Sequence, residues 1–445
     1  MGERIADLAP ERDVATPSRV RYLVLAVAGS LAVLTYFQRQ GFIAGTPEIQ
    51  RALDIDDEQM GYLLAAWLVA YGIFQVPGGL LADRLGARRL LTGLVLGWSL
   101  TLGAVALLAL LPARGWAPLA SLIFLRFLFG TFQAGGFPGL ARVVADWVPR
   151  RQRGFAQGLI WTCSRAGGFA APLVVGLWLF PAFFGWPIPF LLLGAVGLLW
   201  CAAFWPWFRD RPAEMRGVNA AERALLESER PATAARPAPL PWSRFLASRN
   251  VVALCLMYGF VGFSGNFITN WLPSYLKHHR HLDDRLTAWL SGMPLAFGIV
   301  SCLAGGAVSD WLVRRLGNRK WGRRLVGCAA LVLGSASALA PIWVDRVWLL
   351  GLAFSAWFFF NDLTMAPAWA AAADVGERHT GALSGAMNMT GSFFAAVGMW
   401  LAGWLFRRHL DDAVFVLFAL AYALAALCWL GIDVTRPLVP RGDET

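Results

Sequence analysis

The chain has 445 residues, of which 57% are hydrophobic and only 15% charged, with a formal charge of +11. A soluble globular protein carries about 25% charged residues, so that class is excluded. All but two of the 39 basic residues are arginine, the exceptions being Lys277 and Lys320. They sit mostly in the connections between apolar runs, which argues for membrane topology and against a nucleic-acid partner.

Apolar stretches near the ~20 residues that a spanning helix needs recur at 20–42, 59–82, 89–111, 117–144, 154–179, 187–208, 250–276, 286–313, 324–343, 347–371, 380–405 and 412–433. They predict an all-α membrane protein of twelve transmembrane helices in two six-helix halves, 1–208 and 250–445. The polar segment 209–249 joins the halves. Its stretch 218–227 reads as a short surface helix, which Pro231, Pro237, Pro239 and Pro241 then end.

The first 18 residues lack the apolar core and cleavage site of a signal peptide, so the N-terminus is expected to stay in the cytoplasm. Counted from there, the connections 84–89, 150–153, 209–249, 314–324 and 374–379 lie inside. Four of these five carry arginine clusters, whereas the outside connection 45–58 carries five acids against Arg51. That asymmetry predicts a cytoplasmic-membrane protein with both termini inside. Cys163, Cys201, Cys255, Cys302, Cys328 and Cys428 are isolated in apolar stretches and read as small buried hydrophobes. Neither a metal nor a cofactor is expected. A P-loop, zinc spacing and a nucleophile elbow are all missing, which argues against an enzyme and against an ATP-driven pump.

An internal repeat marks the two halves. Gly78-Gly79-Leu80-Leu81-Ala82-Asp83-Arg84-Leu85-Gly86-Ala87-Arg88-Arg89 follows the second span, and Gly305-Gly306-Ala307-Val308-Ser309-Asp310 with Arg314-Arg315-Leu316-Gly317 follows the eighth, 227 residues later. Duplicated six-helix halves are the organisation of many secondary transporters.

The first copy resembles the signature of the major facilitator superfamily. The resemblance implies that Asp83, with Arg84, Arg88, Asp310 and Arg314, gates the cytoplasmic side. Within the superfamily the chain looks like the anion:cation symporter family. Four stretches carry that likeness: Tyr36-Phe37-Gln38-Arg39, the run Arg126 to Pro138, the linker from Arg211 to Glu222, and Ser384 to Met389. The resemblance also exposes a departure. The family's coupling Asp and Glu fall at Gln38 and Gln133, which keep the size and can bond a substrate hydroxyl but cannot titrate.

Charges at bilayer depth are costly and point to function. Arg39, Arg126 and Arg165 all lie in the first half, without nearby carboxylates in the sequence, and together they suit an anion. Asp362, after Phe358-Phe359-Phe360-Asn361, is the candidate proton carrier, with an ion pair to one of these arginines across the halves, or a hydrogen bond to the eleventh span, as its alternative role. Asp374 reads as a residue of the gate or a cap. Tyr36, Tyr71, Gln75, Tyr258, Asn266, Asn270 and Asn388 are expected to line the cavity together with Gln38 and Gln133. The expectation is a secondary transporter, monomeric, moving a small organic anion across the bilayer by alternating access. The resemblance implies a sugar acid such as a hexuronate or aldonate, or another carboxylate, taken up with protons. Uniport or anion exchange, and a transporter-like anion receptor, remain as alternatives.

Overall fold

A computed structural model describes residues 16–439 except 56, 111–115, 181–182, 184–186 and 228–239. The linker residues Pro231, Pro237 and Pro239 therefore lie outside the described residues. Among those described, all regular structure is helical. Lipid offers no water to backbone N–H and C=O groups, so a spanning segment must close its own hydrogen bonds, as a helix does.

The first half contains α1 (Val20–Ala44), the short α2 (Thr46–Leu53), α3 (Asp57–Leu85) and α4 (Ala87–Ala104). The broken pass α5 (Trp116–Ala134) and α6 (Gly136–Trp147) follows, then α7 (Arg153–Ala171) with a π-helical continuation over Pro172–Leu179, then α8 (Pro187–Trp207). The linker carries α9 (Ala220–Glu227) and α10 (Trp242–Ala247). The second half repeats the plan: α11 (Arg249–Asn270) with α12 (Leu272–His278), α13 (Asp284–Leu316), α14 (Arg319–Leu339), the broken pass α15 (Val347–Leu363) and α16 (Met365–Gly376), α17 (Thr380–Phe406) and α18 (Asp411–Gly431). The helices thus make twelve passes, as the apolar runs predict. Their outer faces are as apolar as their inner ones. Phe124, Trp178, Leu199, Leu352 and Leu427 are exposed, while Trp98, Trp147, Trp357, Trp369 and Trp429 are buried. Helices apolar all round suit a bilayer.

The repeated glycines show how the halves meet. A Cβ on Gly78 would lie 2.6 Å from Cα of Gly135, where α5 breaks into α6, and one on Gly305 would lie 2.2 Å from the carbonyl oxygen of Leu363, where α15 gives way to α16. The neighbouring glycines do the same between halves. A Cβ on Gly79 would sit 2.1 Å from the Gly381 oxygen, and one on Gly306 would sit 2.2 Å from the Gly154 oxygen. Backbones touch here because no side chain separates them.

One turn further on, each motif carboxylate caps a helix of the opposite half. Asp83 accepts from the Gly381 and Ala382 amides, 2.9 and 2.8 Å, at the start of α17. Asp310 accepts from the Gly154 and Phe155 amides, 3.1 and 2.7 Å, at the start of α7. The first-turn amides of a helix have no partners within it and carry partial positive charge, so a carboxylate there is favourable. Around these caps runs an ionic network. Arg142 bonds Asp146 and the Arg378 carbonyl, both at 2.9 Å, and lies 3.7 Å from Asp83. Asp374 accepts from Arg153 at 2.8 Å and from Arg323 at 3.0 Å, and Arg150 pairs with Glu377. All of this lies at the linker end of the bundle, which it closes.

Two of the arginines expected there take no part. Arg84 and Arg314 are exposed, and Arg84, one residue after Asp83, is turned about 100° from it around the helix. Arg88 serves its own half: its amide donates to Asp210 at 2.9 Å, and its guanidinium lies over the Trp205 ring and bonds the Trp205 carbonyl at 2.7 Å. The arginines of the network are Arg142, Arg150, Arg153 and Arg323 instead, with Arg319 3.8 Å from Asp374.

The linker also closes the start of α1. Glu222 of α9 is fully buried and accepts from Ser18 Oγ (2.5 Å), the Val20 and Arg21 amides (2.9 and 3.2 Å) and Arg21 Nη1 (2.9 Å). The side chain that would ordinarily cap α1 is absent, since Arg19 makes no cap bond. Burial pushes the Glu222 carboxyl up, but its donors outweigh burial and hold it below the usual glutamate value. The clasp is therefore fully formed above that usual value and is lost as pH falls through the lowered one.

Two outcomes are expected. Glu222→Gln should speed proteolytic cleavage near residues 16–22 at neutral pH, a change the unmodified protein shows only in acid; equal cleavage rates would rule out the clasp. Gly306→Val should wedge α7 from α13 and raise maleimide labelling of Cys302, fully buried beside Gly158, several-fold in a background lacking the other cysteines. Unchanged labelling would show that the seam tolerates the side chain.

Candidate functional site

Two guanidiniums lie in the seam between α1 and α5 without an acidic partner among the described residues. Arg126 is only 2% exposed and stacks on Phe42, 3.8 Å from the ring centroid, with Phe129 at 5.3 Å. Its Nε and Nη1 are buried with no hydrogen-bond partner. Arg39 lies one helical turn from Phe42 on α1 and is enclosed by the rings of Tyr36, Trp67 and Tyr71 at 4.8, 4.6 and 4.8 Å. Trp67 and Tyr71 stack on each other. Aromatic faces attract a cation but accept no conventional hydrogen bond, so Arg39 Nη2 remains unpartnered, as does the Trp67 indole N–H. Arg39 Nε donates to Gln133 Oε1 at 3.1 Å, and Gln133 Nε2 donates to the Thr35 carbonyl at 3.1 Å. Arg126 and Gln133 are two turns apart on one face of α5, about 10 Å along its axis. Two arginines in one seam thus keep donors aimed at nothing. Buried polar groups are ordinarily paired, and four unpaired N–H groups in one place suit a ligand made of acceptors.

Gln38 is not part of that arrangement. Its Nε2 donates to the Leu193 carbonyl at 2.6 Å and its Oε1 accepts from Trp98 at 2.7 Å. One residue from Arg39 is about 100° around the helix, which turns Gln38 toward α4 and α8. Both ends of the amide expected to meet substrate are thus engaged within the first half, which it ties together. Tyr71 instead joins the halves, its hydroxyl accepting from Asn388 at 3.2 Å, and one turn along Gln75 donates to Ser392 at 3.0 Å. Asn266 and Asn270 bond carbonyls of their own helix, at Gly262 and Asn266. Tyr258 accepts from the Trp369 indole.

Arg165 takes the alternative that Asp362 offered, an ion pair across the halves. It has a carboxylate after all, supplied from the opposite half: its Nε and Nη2 meet the two oxygens of Asp362, each at 2.8 Å. The sequence places these residues 197 positions apart, so no local pattern could show the pairing. Asp362 is held from behind by a chain of bonds, in which Trp357 donates to Tyr422, Tyr422 to Asn361, and Asn361 to Asp362 at 3.0 Å. Such bidentate geometry is the strongest that arginine offers. The pair bridges α7 and α15 and joins the halves deep in the bundle. Among the described residues no cluster of His, Cys, Asp and Glu could hold a metal ion.

Sequence reasoning missed Arg142, Arg153 and Arg323, the cations of the closed end. Arg142 stands within a predicted span and Arg323 just before one, and that intrusion into apolar surroundings was the available signal.

The comparisons agree with this architecture. Residues 28–399 match the Major Facilitator Superfamily. The chain is 30% identical over 397 residues to a probable sulfoacetate transporter, SauU, of Cupriavidus necator, covering 88% of each. It is 28% identical over 436 residues to the hexuronate transporter of Bacillus subtilis, covering 95% of this chain and 96% of that one. The solved structure of FucP in the outward conformation matches with a TM-score of 0.70 at 14% identity, covering 93% of this chain and 99% of that chain, a likeness of fold alone. The chain therefore belongs to the Major Facilitator Superfamily and is a multi-pass membrane transporter, not an enzyme.

Proposed function

We propose that the protein moves small organic anions across the cytoplasmic membrane by alternating access, as a monomer, with both termini and the linker inside. The observation that carries this is the pair of buried guanidiniums, Arg39 and Arg126, with unspent donors and, among the described residues, no acid beside them. Relatives named for sulfoacetate, hexuronate and galactarate or glucarate transport support the class of cargo. The halves 1–208 and 250–445 would rock about the linker 209–249. With its linker end sealed by the Asp83 and Asp310 caps, the structure would then be the state that faces outward.

Proton coupling through Asp362 has less support than exchange or uniport. Arg165 grips both oxygens of Asp362, and protonating that carboxylate would leave one more cation unpaired in a core that already has two. Gln133 beside Arg39 and Gln38 in the packing cannot titrate. Arg165 and Asp362 act as a latch that each crossing must open and remake.

Truncating one partner of a buried charged contact costs about 2–5 kcal/mol. Arg126→Ala should therefore weaken anion binding at least about 30-fold, and Arg126→Lys should restore little because a lysine lacks the planar fork. Unchanged binding in Arg126→Ala would refute the clamp. In proteoliposomes, labelled anion should exchange against internal anion while an imposed proton gradient alone drives no accumulation. Gradient-driven accumulation that disappears in Asp362→Asn would reinstate Asp362 as proton carrier.

A further inference from the structure

The depth at which Arg39, Arg126, Arg165 and Asp362 lie carries an unequal set of charges. Three are positive and one is negative. Arg165 and Asp362 cancel, each using two atoms on the other. Arg39 and Arg126 remain. The acids of the linker end cannot serve them, since Asp83, Asp310, Asp374 and Glu377 are spent on helix starts and on Arg150, Arg153 and Arg323.

We propose that the site takes a divalent anion, one acidic group on Arg126 and the other on Arg39, whose two charges bring the core to neutrality. This rests on the organic-anion reading above and narrows it. A buried charge is tolerated when paired and hydrogen-bonded. A monovalent acid would satisfy one guanidinium and leave the other dehydrated and unpaired. A divalent acid satisfies both. Arg126 stacks on the ring of Phe42, one turn of α1 from Arg39, so the two guanidiniums serve neighbouring stretches of α1 and suit a molecule with an acidic group at each end. The donors left over are Arg126 Nε and Nη1, Arg39 Nη2 and the Trp67 indole, enough to bond several oxygens of two carboxylates, or of a sulfonate and a carboxylate. Arg165 is not the second holder, because its charge is already met by Asp362. Gln133 is the residue that keeps the charge at two: it occupies Arg39 Nε with a neutral oxygen.

The test is calorimetric titration of the purified full-length protein with acids matched in size and differing in one charge. Suitable pairs are glucarate against gluconate, sulfoacetate against 2-hydroxyethanesulfonate, and succinate against butyrate. Within at least one pair the divalent member should bind at least about 100-fold more tightly. Gln133→Glu, which supplies Arg39 with an internal carboxylate, should reverse the order, so that the monovalent member binds better. Arg39→Gln should narrow the gap at least about tenfold. Equal binding of both members, with no reversal in Gln133→Glu, would overturn the divalent assignment and leave the organic-anion reading intact. If none of the acids binds while an uncharged analogue does, the organic-anion reading itself falls, and this inference with it.

Discussion

A guanidinium sealed inside a membrane protein is stable only beside an anion, and the way this chain meets that requirement organises the rest of the structure. Arg165 receives Asp362 from the opposite half, which makes one buried charge into a bond between halves. Arg142, Arg153 and Arg323 receive Asp146 and Asp374 and so help to seal the linker end. Arg39 and Arg126 receive aromatic rings and a glutamine amide, which hold a cation in place without neutralising it. The first two groups close the molecule. The third leaves it incomplete, and that is where a ligand belongs.

The duplication explains why closure is symmetric and binding is not. At an offset of 227 residues Gly79 corresponds to Gly306, Asp83 to Asp310, and Gly154 to Gly381. Each motif glycine therefore touches the other motif's partner helix, and each carboxylate caps it. The same offset carries Arg39 to Asn266 and Arg126 to Ala353. The second half has kept the closing device and lacks the charges. Binding through one half and closure through both is a division that the copied backbone permits and the side chains impose.

This also marks what the sequence could show. The twelve passes were legible because an apolar run long enough to span is a local property. The repeat was legible because its glycines and carboxylates stand at fixed positions in both copies. Arg39 and Arg126 were legible because a charge in an apolar run is conspicuous. Pairing was not. Arg165 and Asp362 meet only when the halves pack, and Gln38 looks like a ligand contact until the turn of α1 carries it toward Trp98 and Leu193. Arg84 and Arg314 lie inside the motif by sequence yet are exposed. Residue type was readable locally; direction and partner were not.

On the proposed reading, the unpaired charges also bear on how the halves move. Arg39 and Arg126 are buried here; in a form that opens the site further, water reaches them and they cost little. To change sides the protein must pass through a form closed at both ends, in which that water is gone. An empty site then holds two dehydrated cations, and ions withdrawn from water without a partner are penalised by several kcal/mol each. A filled site holds none. Occupancy by an acid of matching charge therefore lowers the barrier to crossing, whereas the empty protein is detained on the side where it released its cargo. A carrier that crosses readily only when loaded is an exchanger, so strict exchange follows from the same unpaired arginines that bind the anion, without a titrating residue.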